Sequence, residues 1–293
     1  MKQKRYFITY GSKQFQLQKK HLINLVNRSG YFDHAISMGP DDLSDKFRKT
    51  HSDFLTLNRG GGYWIWKYEI IKRLLEKINK NDLVYYSSAG SSFNINGIKR
   101  LNEYTQIIND SDSGNLRFSV GHLDVHTNYF LEKKWTTKEI FQYFNVIDNE
   151  DITNTKQLMA NHFGLIKNDV SLTIFNEFEK LIETNRKLIT HDYDEKDQIK
   201  DFIENRNDQS ILSVLSKIHG TEIIFKDETY FKGIEDDQFV YPFLSVRKRN
   251  YTKLEKLKFY FRYRKNINSP IYFGQRQSIL KRLIYKFNTL LRS

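Results

Sequence analysis

Two patterns of apolar positions, one typical of strands and one typical of helices, alternate along most of this chain. The segment "RYFITYG" is a short apolar run that stops at a glycine, which predicts a buried strand. In the next segment, "QFQLQKKHLINLVNRSG", apolar residues recur at helical spacing until a second glycine, which predicts an amphipathic helix. The same patterns predict strands in "FDHAISM", "DLVYYSSAG", "HFGLI" and "TEIIF", and helices in "WKYEIIKRLLEKIN", "NGIKRLNEYTQIIN", "SLTIFNEFEKLIETN" and "DQSILSVLSKIHG".

This alternation predicts an α/β fold with a mostly parallel sheet flanked by helices. Ligands of such sheets bind outside the carboxyl ends of the strands. Three segments at this edge carry glycine or small polar residues, namely "TYGS", "SSAGSS" and the approach to "HFGLI". Any one of them is explained by the ordinary preference of turns for glycine. Together they indicate a ligand site at this edge.

Charge divides the chain into two parts. The net charge is +12, yet residues 243–293 hold fourteen Lys and Arg against one acid, so residues 1–242 are close to neutral. We therefore predict a catalytic domain over 1–242 and a basic, helical C-terminal segment over 243–293. In the stretch "QRQSILKRLIYKFNTLLR" apolar residues share one helical face and most basic residues lie off it. This pattern favours an anionic membrane surface, and the alternative is a helix packed on the domain.

The stretch "RGGGYWIWKY", Arg59–Tyr68, sets three glycines before two of the three tryptophans. Glycines permit a backbone that side chains would block, so a tight turn opening a helix is expected. A helix N-terminus favours anions, and the aromatic faces can stack on sugars or bases. The alternative is that Trp64 and Trp66 are core side chains beside the turn.

The same stretch resembles the "RGxGYWxWKP" signature of a family of GT-A-like bacterial and viral glycosyltransferases in surface-polysaccharide pathways. Further segments are similar to motifs of this family in the same order, and the likeness covers about residues 5–250. These segments are "FITYGS", "DLVYYSSAGSSFN", "NTKQLMANHFGLIKN", "ENRNDQSILSVLSKIHG" and "YPFLSVRKRN".

The resemblance implies a GT-A-like, Rossmann-like domain that moves a sugar from a nucleotide-sugar donor to a saccharide or lipid-linked acceptor. It implies a catalytic role for Asp208, for which the alternative is a helix N-cap, and Glu204, Asp236 and Asp237 are weaker candidates. The residues it implies for donor binding are Thr9, Tyr10, Gly11, Arg59, Trp66, Lys67, Ser88, Ala89, Gly90, Arg247, Lys248 and Arg249. Those it implies for acceptor or sugar binding are Trp64, Gln157, Asn161 and Gln209.

Two departures from the family concern its metal. The strand-end aspartate that serves as a GT-A metal carboxylate is Ser88 here, and the family's histidines near the end are replaced by Ser245 and Val246. A hydroxyl is a poor ligand for Mg²⁺ or Mn²⁺. We therefore expect no metal site and no cofactor, with basic side chains at the donor diphosphate instead. The alternative is an inactive homologue.

Other classes of protein are less well supported. The basic, aromatic tail "YTKLEKLKFYFRYRKN" motivates a nucleic-acid-binding alternative, but a neutral body argues against it and we expect no nucleic-acid partner. The absence of cysteine excludes disulfides and Cys-ligated zinc. Since the start of the chain lacks a signal-like apolar run, we expect a cytoplasmic protein, peripheral on the inner face of the cell membrane.

Overall fold

The computed structural model describes residues 2–121, 128–230 and 240–246. Its centre is a six-stranded sheet of order β2-β1-β3-β6-β5-β7. Its strands are β1 (Arg5–Tyr10), β2 (His34–Met38), β3 (Leu83–Ser87), β5 (Asn115–Ser119), β6 (Leu158–Ile166) and β7 (Glu222–Ile224). Five of the six strands run in one direction, as predicted, and β6 runs antiparallel to both of its neighbours.

Helices cover both faces of this sheet. The longer ones are α1 (Gln16–Arg28), α5 (Trp66–Lys77), α6 (Ile98–Asp110), α10 (Asp169–Asn185) and α11 (Asp208–His219). Between them lie the short α2 (Asp45–Thr50), α3 (Ser52–Leu55), α4 (Gly60–Tyr63), α7 (Glu132–Trp135), α8 (Lys138–Tyr143) and α9 (Glu150–Thr153). Alternating side chains of β1 build two cores: Phe7 packs with α1 and α6, whereas Ile8 packs with α5, α10 and α11.

The sheet contains one strand that the apolar pattern did not predict. Strand β5 places Asn115, Arg117 and Ser119 in fully buried positions, so its sequence "NLRFS" alternates polar and apolar residues as a half-exposed strand would. The guanidinium of Arg117 packs over the ring of Phe163 at 4.2 Å and has no hydrogen-bond partner among the described residues. Because charged side chains are rarely buried, a pattern of apolar residues does not predict a buried strand that contains Arg117.

A second, two-stranded sheet joins β4 (Ser92–Phe93) to β8 (Phe243–Leu244). Phe243 is buried in the core beside α6, although it lies beyond the predicted domain boundary at residue 242. Residues 247–293 of the predicted C-terminal segment, with Arg247, Lys248 and Arg249, lie outside the described residues. No helix in the ranges that the structure describes is long and apolar enough to cross a membrane.

The triple glycine forms a left-handed turn. Five consecutive residues, Gly60–Trp64, have φ between 54° and 92°, a region that L side chains enter at roughly 1–2 kcal/mol each. A Cβ on Gly60 would lie 2.3 Å from the Trp64 ring, and one on Gly62 would lie 2.8 Å from the Phe54 carbonyl oxygen. The turn is as predicted, but it ends at Trp64, and α5 begins only at Trp66. Tyr63 and Trp64 therefore lie before the helix that the turn was expected to open, and they are not part of its first turn.

Candidate functional site

Three chain segments meet at the carboxyl edge of the sheet. Gly11 follows β1 and leaves no room for a side chain, since a Cβ there would lie 2.8 Å from the Cβ of Phe15 and 3.0 Å from the Cβ of Ala89. Ser88 follows β3, and its N–H donates to the Asn161 carbonyl oxygen at 2.9 Å. Because β6 is reversed, its beginning lies at this edge, where the other strands end. The predicted loops are thus brought together.

A buried ion pair lies beside them. Lys67, in the first turn of α5, donates from Nζ to the Ala160 carbonyl oxygen at 2.8 Å and pairs with the carboxylate of Asp208. The two side chains are 3% and 7% exposed. Burial raises the pKa of Asp208 and lowers the pKa of Lys67, and the opposite charge of each partner counteracts the shift. Asp208 is the first residue of α11 and Asn207 is the capping residue, so the carboxylate is not the N-cap of the helix.

Two of the predicted donor-binding aromatic residues pack on each other. The rings of Tyr10 and Trp66 stack with centroids 3.9 Å apart, and the Trp66 indole donates to the Gly60 carbonyl oxygen at 2.9 Å. Both are nearly fully buried. The alternative interpretation, a core side chain beside a tight turn, describes the surroundings of Trp66. Trp64 is partly buried and covers Gly60.

Arg59 lies on the Asp208 side of the edge. Its guanidinium donates to the Asn207 side-chain oxygen at 3.1 Å and to Glu204 at 2.7 Å. Because its side chain is 46% exposed, the Glu204 pair is solvated and adds little to stability. Arg59 is thus a partly accessible cation that contacts Asn207, the residue before α11.

The predicted acceptor residues differ in their accessibility. Gln157 is fully buried, and its amide donates to Glu132 at 3.0 Å and to the Trp135 carbonyl oxygen at 3.1 Å. Its own oxygen accepts from Gln209 at 2.7 Å, so Gln157 orients Gln209 from behind. Gln209 and Asn161 are partly exposed at the edge.

Lys19 is a cation at this edge that the sequence did not single out. It projects from α1, and its Nζ donates at 2.7 Å to the carbonyl oxygen of Met38, the last residue of β2. A Cβ on the adjacent Gly39 would lie 3.3 Å from this Nζ. Burial lowers the pKa of Lys19, and Asp42 opposes the shift. A lysine on an amphipathic helix is usually solvated, so the sequence contains no direct sign of this contact. The signal that could have indicated it is the glycine after each of the two strands β1 and β2, Gly11 and Gly39.

The polar groups at the end of β3 do not fit a hard divalent cation. They are the hydroxyls of Ser87, Ser88 and Ser91 and the imidazole of His162, without a carboxylate at the strand end. Mg²⁺ and Mn²⁺ prefer carboxylate and carbonyl oxygens. Within residues 2–121, 128–230 and 240–246, no group of three or more His, Asp or Glu is placed to hold a metal ion.

No protein-family model and no curated protein sequence matches the chain. Among solved structures, a glycosyltransferase involved in the glycosylation of the major capsid of PBCV-1 is similar with a TM-score of 0.40 at 10% identity, over 87% of this chain and 98% of its own. The galactosyltransferase LgtC, in complex with donor and acceptor sugar analogs, is similar with a TM-score of 0.38 at 14% identity, over 77% of this chain and 75% of its own. The bifunctional glycosyltransferase WbbM is similar with a TM-score of 0.49 at 11% identity, over 98% of this chain and 52% of its own. At these low values, the chemistry of this chain has to be inferred from its own residues.

Proposed function

We propose that this protein is a glycosyltransferase that moves a sugar from a nucleotide-sugar donor to a saccharide acceptor. One observation carries the proposal: the segments that resemble family motifs, though far apart in sequence, contact one another at one sheet edge. The links are Tyr10 with Trp66, Gly11 with Ala89, Lys67 with Asp208, Ser88 with Asn161, and Asn161 with Ser245. A chance likeness of sequence would not be expected to produce this convergence.

Asp208 is the carboxylate we assign to the transfer step. In an inverting reaction it would accept the proton of the acceptor hydroxyl, and in a retaining one it would support an oxocarbenium-like centre. Lys67 holds the carboxylate in place, and Gln209, the next residue of α11, offers a partly exposed amide for a sugar hydroxyl.

Donor binding without a divalent cation is part of the same proposal. The diphosphate of the donor would be balanced by basic side chains, since ammonium and guanidinium groups pair well with phosphate oxygens. Lys19 and Arg59 are the described candidates at the edge, and Arg247, Lys248 and Arg249 follow β8 outside the described residues. The Asn161 side-chain amide donates to Ser245 at 3.0 Å, so the chain directly after β8 lies at this edge, two sequence positions before Arg247.

The biological setting is a finer proposal. The resemblance to surface-polysaccharide enzymes and the basic segment 243–293 favour a lipid-linked acceptor and an anionic membrane surface. Both rest on sequence, because the segment from 247 onward lies outside the described residues.

The test is a thermal-shift panel of nucleotide sugars, each measured with EDTA and with Mn²⁺. A ligand at about 100-fold its dissociation constant should add roughly 2.7 kcal/mol to the free energy of unfolding, equally in both conditions. Ser88→Asp is the matched variant and should make binding stronger with Mn²⁺ than with EDTA.

Other outcomes separate the alternatives. A large loss of binding in EDTA would overturn the metal-free proposal. Binding without turnover would indicate an inactive homologue. Salt-dependent retention on DNA, together with no nucleotide-sugar binding, would indicate the nucleic-acid alternative.

A further inference from the structure

A buried chain of hydrogen bonds runs behind Ser88. His162, on β6, is fully buried, and its Nδ1 lies 3.1 Å from the hydroxyl of Ser87, the last residue of β3. Its Nε2 lies 3.0 Å from the hydroxyl of Ser245, directly after β8, and 3.3 Å from that of Ser91. One imidazole therefore joins the end of β3 to the C-terminal part of the described chain.

Thr229, at the end of this hydrogen-bonded chain farthest from Ser87, determines which atom of each group carries the proton. The Thr229 hydroxyl donates to Asp227 Oδ1 at 2.8 Å, which uses its single hydrogen. Its other neighbour, the sulfur of Met159 at 3.5 Å, is a much weaker acceptor. Thr229 Oγ1 must then accept from Ser245, whose hydroxyl lies 3.0 Å away.

The single hydrogen of Ser245 is thereby used. The Asn161 side-chain amide donates to the same hydroxyl oxygen at 3.0 Å, so this oxygen receives its remaining bond from His162. Nε2 of His162 must therefore carry the proton. Nδ1 carries none and accepts from the Ser87 hydroxyl. Burial, with the nearby charge of Lys67, lowers the pKa of His162 to about 3, which keeps the imidazole neutral and limits it to one proton.

We propose that His162, as its Nε2–H tautomer, is a positioning residue that fastens the loop after β3 to the segment after β8. Resting on the proposed function, this means that the two sides of the donor diphosphate site are held together by a hydrogen-bonded chain. This arrangement is also incompatible with metal ligation, because Nε2 is protonated and Nδ1 is occupied by the Ser87 hydroxyl. Ser245, one member of this chain, stands at a position where the resembled family has a histidine, and Ser87 directly precedes Ser88, the position of the family's aspartate.

The tautomer can be measured without any ligand. In the full-length protein labelled with ¹⁵N-histidine, the His162 signals are identified by their loss in His162→Gln. Two-bond ¹H–¹⁵N correlations should show a protonated Nε2 and an unprotonated Nδ1 at neutral pH. The opposite tautomer, or a doubly protonated ring, would overturn the proposal.

The positioning role is tested with Ser245→Ala, using UDP, GDP, CDP and ADP as probes in calorimetry. Removal of the Ser245 hydroxyl should lower the affinity for the tightest-binding nucleotide about tenfold. This loss is equivalent to one hydrogen bond of about 1.4 kcal/mol. Ser245→Thr keeps the hydroxyl and should restore the affinity. Ser216→Ala is the matched control: this serine is buried on α11, and its hydroxyl has no hydrogen-bond partner among the described residues.

The melting temperatures of all three variants are recorded with the affinities. If Ser245→Ala weakens the nucleotide no more than Ser216→Ala does, the positioning role is wrong. If no nucleotide binds to the wild type, the proposed function and the donor-site role fail together, while the tautomer measurement still decides whether the hydrogen-bonded chain exists.

Discussion

Helix α11 takes part in two buried lysine–carboxylate pairs that differ in how completely they are enclosed. In its last turn, Lys217 pairs with Glu132 at 2.7 Å, and at its beginning Asp208 pairs with Lys67. Both pairs consist of an ammonium and a carboxylate removed from water. The difference lies in what else bonds to the carboxylate.

Glu132 is bonded on every side. One oxygen accepts from Thr136 at 2.6 Å and from Gln157 at 3.0 Å, and the other accepts from Ser213 and Lys217. Its side chain is 0% exposed. A carboxylate with this many donors has no capacity left for a substrate, so the pair is structural.

Asp208 has fewer partners and a small opening. Lys67 is the one side chain that bonds to the Asp208 carboxylate in the described part of the chain, and the backbone N–H groups of Asp208 and Gln209 also donate to it. The Asp208 side chain remains 7% exposed. The comparison teaches that burial of a carboxylate with a lysine does not by itself indicate catalysis. The capacity left for another hydrogen bond, together with position at the strand ends, distinguishes Asp208.

The largest expected effect comes from Asp208→Asn. Leaving Lys67 buried without its partner should lower the free energy of unfolding by about 3–5 kcal/mol, and loss of the carboxylate should slow transfer at least ~100-fold. This stability loss exceeds the ~1 kcal/mol expected for a lost N-cap, the structural role that the sequence suggested for Asp208.

A double variant separates the two effects. Lys67→Met combined with Asp208→Leu replaces the pair by apolar side chains and should recover most of the stability without recovering transfer. Urea denaturation and turnover per folded molecule are the measurements. Transfer at the wild-type rate in either variant would remove Asp208 from the reaction.

The next effect is on stability alone. Glu132→Gln should lower the free energy of unfolding by about 3–5 kcal/mol, because Lys217 is left buried without a countercharge. The rate per folded molecule should change far less than in Asp208→Asn, since Glu132 is fully enclosed and reaches the edge only through Gln157 and Gln209 among the described contacts. A loss of rate as large as that of Asp208→Asn would show that the two pairs are not functionally different.

The smallest effect concerns a buried cation without a carboxylate. Arg117→Met removes a guanidinium that has no hydrogen-bond partner among the described residues, and it should raise the free energy of unfolding by about 1–3 kcal/mol. Burial lowers the pKa of Arg117 to about 9, in keeping with its unfavourable position.

The matched control for Arg117 is Arg100→Met. Arg100 donates to Glu228 at 2.8 Å and to Glu103 at 2.5 Å, so its loss should be destabilising. If Arg117→Met were as destabilising as Arg100→Met, the buried guanidinium would have a stabilising role that the described contacts do not account for.

The order of strands and helices could largely be predicted from apolar periodicity, because amphipathic helices such as α5 and buried runs such as β3 follow the two periods closely. Strand β5 could not, since Arg117 occupies a core position. The reversal of β6 could not either, because a pattern of buried residues is the same in both directions of a strand. Its consequence is large: Asn161 and His162 lie at the ligand edge only because β6 begins there.

The sequence predicted the residues of the candidate site, but not the contacts that the structure shows between them. Glycines at strand ends indicated the edge, and the motif likeness indicated Asp208. Nothing in the sequence indicated that Lys67 would pair with Asp208 across 141 positions or that Lys19 would reach Met38. Such contacts depend on how helices and strands pack in three dimensions. A sequence pattern predicts which face of a helix or strand a side chain lies on, but not which distant residue it contacts.

The left-handed turn at Gly60–Trp64 separates two reasons for a glycine. At Gly60 and Gly62 an added side chain would collide with Trp64 or with the Phe54 carbonyl, so both size and backbone forbid it. At Gly61 an added Cβ would meet nothing nearer than the Trp66 indole nitrogen, 3.9 Å away. There is room for a methyl group at Gly61, and only the chirality of natural amino acids opposes it. A mirror-image residue, D-alanine, has the backbone preference that this position requires.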